Sequence, residues 1–184
     1  MTPSKRPYRH NREPRIDIAR VGEAGTILAL AAPGFSVPDL NAAASAAERS
    51  GYKLKVASSA RALVSGRTET GEEMNFVVDT GFEDVSADEG AGLVLPGGRR
   101  AVDALNDSNA ALRLLQDMFA SGRPIFAAGE SLAMLAEVSG KETGDADAAL
   151  ALNGEVFAAS GETARDDVAK VFAESLQTQA SEAA

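Results

Sequence analysis

Three stretches of the chain are continuously apolar rather than alternating: residues 26–32, 93–95 and 124–128. Runs of this length suit strands buried on both faces, as in a parallel sheet. Each ends at a turn signal: Pro33-Gly34, Pro96-Gly97-Gly98 and Gly129. Beyond Gly129-Glu130-Ser131, apolar Leu132, Met134, Leu135 and Val138 recur at helical spacing, so a strand passes tightly into a helix. Residues 52–58 alternate Leu54 and Val56 with Lys53 and Lys55, which predicts a strand nearer an edge. Residues 155–159 predict a last strand. Helices are predicted over 38–50, 108–121 and 163–177. The first opens on Ser36 and Asp39 in a capping-box spacing and stops at Gly51. The second places Leu112, Leu115 and Phe119 on one face, and the third turns Val168, Val171, Phe172 and Leu176 inward. From Arg61 the period falls to two. Residues 62–64 and 74–78 flank Thr68-Glu69-Thr70-Gly71 and read as a β-hairpin appended to the sheet. Residues 79–90 are acidic with one helical turn, and 140–149 form a polar acidic loop.

Short apolar strands alternating with helices predict an α/β fold: a flavodoxin-like, doubly wound parallel sheet of order 2-1-3-4-5 within a three-layer sandwich. Residues 1–25 form a basic irregular arm, 26–178 the domain and 179–184 a frayed tail. The switch point then lies between the first and third strands. Pro33-Gly34-Phe35-Ser36 and Pro96-Gly97-Gly98 converge there, with the turn at Gly129 beside them.

At 184 residues and 45% hydrophobic content, the chain is long enough for one well-buried domain. It contains no cysteine, which excludes disulfides, thiolate metal sites and thiol catalysis together. Its one histidine, His10, falls in the arm, so no Ser-His pair is expected in the core. No metal site and no cofactor are expected. The net charge is −9, yet Lys5, Arg6, Arg9, Arg12 and Arg15 face only Glu13 in residues 1–15. The body is therefore strongly acidic, which argues against nucleic acid as its partner. No apolar run reaches membrane-spanning length and no secretory leader is read, so a cytoplasmic location is expected.

These turns carry a family likeness. Leu93-Val94-Leu95-Pro96-Gly97-Gly98 and Ser121-Gly122-Arg123-Pro124-Ile125-Phe126-Ala127-Ala128, in this order after the Pro33-Gly34-Phe35 turn, resemble the PfpI/ThiJ superfamily of the class I glutamine-amidotransferase-like fold. In catalytic members the elbow is Cys then His, and a Glu after the first strand hydrogen-bonds the thiol. Against that pattern Gly129 falls at the Cys, Glu130 at the His, and Ser36 at or near the Glu, so no thiol, core His or carboxylate is expected beside the elbow. The Gly129-Glu130-Ser131 elbow and the run from Pro96 to Leu105 look closer to the carboxyl-terminal domain of large-subunit catalases, which lacks the elbow cysteine and binds no heme. That resemblance implies a non-catalytic pseudoenzyme acting through protein contacts, with a stress-related, chaperone-like or scaffold role. A homodimer or a protein partner is expected.

Each candidate residue has two readings. Gly129 either relieves the strain a side chain would suffer at an elbow or admits a ligand close to the backbone. Glu130 either answers a helix dipole or serves as a general base. Ser131 lacks a base to activate it, and Ser36 is most simply a helix cap. Gly97 and Gly98 offer backbone donors which, with Arg99 and Arg100, would suit a small anion; otherwise they form a tight turn beside solvated arginines. A divergent hydrolase or lyase using Glu130 with those donors is the alternative function.

Overall fold

The computed structural model describes residues 23–141, 148–152, 155–159 and 162–182. In chain order the elements are β1 (Gly25–Leu30), β2 (Phe35–Ser36), α1 (Val37–Arg49), β3 (Tyr52–Ala57), β4 (Leu63–Arg67) and β5 (Glu73–Val77). A 3-10 turn at Ala87–Glu89 follows, then β6 (Gly92–Leu95), α2 (Arg99–Asn106), α3 (Asn109–Ala120), β7 (Ile125–Ala128) and α4 (Ser131–Ser139). The chain continues through β8 (Ala148–Leu152), β9 (Glu155–Ala159) and α5 (Glu162–Glu182).

The main sheet has the order β3-β1-β6-β7-β8-β9. Strands β3, β1, β6 and β7 are parallel, and the three apolar runs are immediate neighbours within it. Every residue of β6 and β7 is buried, which is why those segments read as unbroken apolar runs. Helices α1 and α5 cover one face, while α2, α3 and α4 pack together on the other. At the edge, the Tyr52 hydroxyl donates to the Leu176 carbonyl at 3.0 Å and ties β3 to α5. Burial raises that phenol above its ordinary pKa. No helix among the described residues is long and apolar enough to cross a membrane.

Several expectations are corrected. The segment read as a loop over 140–149 contributes to β8, which pairs antiparallel with β7, so β9 lies one place further out than the order 2-1-3-4-5 allows. The hairpin does not extend the main sheet. Strands β4 and β5 form a second sheet with the two-residue β2, held by an edge-to-face contact between Phe35 and Phe76 at 5.2 Å. Helix α2 is an element that the apolar pattern does not predict. It is eight residues long and opens on two arginines, against the helix dipole. In α3 the buried face is Ala111, Leu114, Leu115 and Met118, with Leu112 and Phe119 only partly buried. In α5, Val171 is 45% exposed and Ala169 and Ala173 turn inward instead. The tail expected to fray from 179 is helical to Glu182. The arm over residues 1–22 lies outside the described residues.

Candidate functional site

The carboxyl edge of β1, β6 and β7 gathers three turns. Ser36 follows β1 and caps α1, its hydroxyl accepting the Asp39 N–H at 3.4 Å. The Ser36 N–H donates to the Gly97 carbonyl at 2.8 Å, locking the first turn onto the second. Gly98 lies at φ +108, and a Cβ there would stand 2.4 Å from the Gly34 carbonyl oxygen. Only glycine satisfies both that backbone and that approach.

The elbow itself lies between β7 and α4. Gly129 adopts φ +53, the left-handed conformation, and the nearest atom a Cβ would meet is the Gly97 Cα at 3.6 Å. Space for a side chain is therefore present; only the backbone disfavours one. Ser131 is fully buried. Its hydroxyl accepts the Ala128 N–H at 3.0 Å and lies 2.8 Å from the Leu95 carbonyl and 2.7 Å from that of Ala128. That oxygen fastens the ends of β6 and β7 to the elbow and faces no open space.

The two backbone donors of the Pro96-Gly97-Gly98 turn are both engaged by carboxylates of the chain. The Gly97 N–H donates to Asp39 Oδ2 at 2.9 Å, and the Gly98 N–H donates to Glu130 Oε2 at 2.9 Å. The two side chains close on Gly97 from either side: a Cβ built there would lie 3.0 Å from Asp39 Oδ2 and 3.2 Å from Glu130 Oε2. Glu130 begins α4, yet its carboxylate crosses to the residue that caps α2, so it staples two helix starts together. Arg99 and Arg100 are exposed and make no ion pair among the described residues.

The expectation that no carboxylate stands beside the elbow is thus corrected. Asp39 is 5% exposed, and from α1 its carboxylate reaches the Gly97 N–H next to the elbow. Its other oxygen, Oδ1, lies 2.6 Å from Arg165 Nε on α5, and Arg165 Nη1 lies 3.5 Å from Glu69 Oε1 at the hairpin tip. A buried carboxylate needs such compensation. The sequence signal was available but ambiguous: Asp39 is the acid of the capping-box spacing, a pattern that ordinarily marks a solvated helix start.

Comparison with known proteins agrees with this architecture. The family model for the DJ-1/PfpI family matches residues 25–178. A protein named a deglycase, from Pyrococcus abyssi (strain GE5 / Orsay), is 37% identical over 75 residues, which is 41% of this chain and 42% of that relative. The match thus spans less than half of that relative's length. Drosophila melanogaster DJ-1beta superposes with a TM-score of 0.64 at 21% identity, covering 86% of this chain and 96% of that one. A ThiJ/PfpI domain protein from Brachyspira murdochii gives 0.66 at 19% identity, covering 84% and 97%. The chain belongs to the DJ-1/PfpI family.

Proposed function

We propose that this family member works without covalent chemistry at its elbow, as a module acting through protein contacts. The observation that carries this reading is that the polar groups of the elbow are already engaged. The nucleophile position is Gly129, Ser131 is sealed between strands, and the donors at Gly97 and Gly98 are taken by Asp39 and Glu130. An oxyanion would have to displace a carboxylate to reach them, which removes the stabilisation such donors provide in acyl chemistry. The likeness of the Gly129-Glu130-Ser131 elbow to the carboxyl-terminal domain of large-subunit catalases supports the same reading. The contact face is the outer side of the hairpin. Leu63 and Val77 are paired across β4 and β5, project from the same face and are 55% and 68% exposed, whereas Met74 lies on the opposite face with Phe76. Apolar side chains held together in water favour a protein partner. A homodimer, a cytoplasmic location and a chaperone-like role fit this proposal.

A second reading has its own observation: two carboxylates converge on Gly97, and one relative bears the name deglycase. Asp39 and Glu130 would then divide general-acid and general-base roles in a hydrolase or lyase. One experiment separates the two. The wild type, Glu130→Gln and Asp39→Asn are assayed against small aldehydes, esters and aldehyde-modified amines. The non-catalytic reading expects background from all three proteins. Turnover by the wild type that disappears in Glu130→Gln, with the fold intact, would establish the carboxylate mechanism instead.

A further inference from the structure

A second concavity lies on the same edge of the sheet, beyond the end of β3 and away from the elbow. It encloses about 440 Å³ and is lined by residues from three segments: 58–61, 78–84 and the first turn of α3. Volumes of this size suit small-molecule ligands, and the carboxyl ends of parallel strands are where such folds place them.

Its polar groups carry both signs. Arg61 supplies a guanidinium with no ion-pair partner among the described residues, and Glu83 and Asp84 supply carboxylates in the same condition. Asp79 differs, since its Oδ2 accepts the Val56 N–H at 2.8 Å. Ser58 is 1% exposed and accepts the Ala60 N–H at 3.2 Å. Ser108 caps α3, and its neighbour Ala110 also lines the cavity. The opening N–H groups of a helix have no acceptor within it and favour a negative ligand group.

From this juxtaposition we infer that the cavity binds a small zwitterion of the free α-amino-acid class. The ligand carboxylate is received by Arg61 and the first turn of α3. The ammonium is received by Glu83 and Asp84. A simple anion would meet the carboxylates of Asp79, Glu83 and Asp84, and a simple amine would leave Arg61 unmatched; a molecule carrying both charges is matched at both ends. The site shares no lining residue with the elbow, so it stands or falls separately from the proposed function.

The test is a titration of the ¹⁵N-labelled protein with L-alanine, L-serine, L-lysine and L-glutamate, each up to about 10 mM, the range of weak metabolite binding. Propionate and ethylamine serve as one-charge analogues of alanine. At least one amino acid is expected to give saturable shifts confined to amides 58–61, 78–84 and 108–110. Each one-charge analogue should bind at least about tenfold more weakly than the matching amino acid. Arg61→Ala and the Glu83→Gln/Asp84→Asn pair should each weaken binding by a similar factor. Lys53→Ala, which removes an exposed cation from β3 outside the cavity, should leave it unchanged. Arg61 is exposed and unpaired, so its removal leaves the fold intact, as the dispersion of the same spectra will show. Absence of saturation with all four amino acids would overturn the inference. So would propionate or ethylamine binding as well as the amino acid, or undiminished binding by Arg61→Ala.

Discussion

Two places on the carboxyl edge of one sheet use their polar groups in opposite ways. At the elbow, the Gly97 N–H and Arg165 share the Asp39 carboxylate, the Gly98 N–H is bonded to Glu130, and the Ser131 hydroxyl is bonded to the backbone of Leu95 and Ala128. At the cavity beyond β3, Arg61, Glu83 and Asp84 line the surface unpaired. The elbow lies at the strand edge where such folds place ligands, yet its polar groups are already engaged. The lesson is that a fold's usual site is recognised by its backbone, whereas its capacity to bind is read from which polar groups are left over.

If the elbow is a structural knot, changes there should cost stability in proportion to the contacts they break. Gly98→Ala is expected to cost the most, about 3 kcal/mol or more, because it combines a positive φ with a clash against the Gly34 carbonyl. Urea unfolding measures this, and a loss below about 1 kcal/mol would show that the two turns separate easily.

Asp39→Ala ranks next, at about 2–3 kcal/mol. It leaves the Gly97 N–H without its acceptor and Arg165 without its main partner. If Asp39→Ala proves neutral, the buried carboxylate is held at a cost that only a functional role would explain, and the second reading gains.

The strands on which this comparison rests were legible because burial on both faces leaves a continuous apolar run, as in β1, β6 and β7. Strand β8 was not. Its Ala-Ala-Leu-Ala-Leu follows an acidic, glycine-containing stretch, and alanine carries little strand preference. The elbow was legible as a turn, and Gly129 lies in it at positive φ between β7 and α4. The partners of the elbow were not. Asp39 is drawn inward by Arg165, which lies far along the chain, and no local pattern announces such a pairing. Glu130 was placed at its own helix start, but its bond to Gly98 depends on two loops meeting in space.

Ser131→Ala should cost about 1–2 kcal/mol through the loss of the hydroxyl that fastens β6 to β7. Thermal unfolding would show this as a modest downward shift, and the cost should be nearly independent of any ligand added at the cavity. Gly129→Ala should cost least, about 1 kcal/mol, since a Cβ has room there and only the left-handed backbone resists it. A Gly129→Ala penalty equal to that of Gly98→Ala would erase the distinction between a position that is merely strained and one that is also filled.

The engagement of the elbow's polar groups is tested most directly by the amide resonances of Gly97 and Gly98 in the ¹⁵N-labelled protein, followed as formate and then phosphate are added. With Asp39 and Glu130 on those N–H groups, neither resonance should move saturably in the wild type, and Glu130→Gln should shift the Gly98 amide alone. Saturable movement of both glycine amides on addition of either anion would show that the donors are open to ligands, and would contradict the non-catalytic account at its foundation.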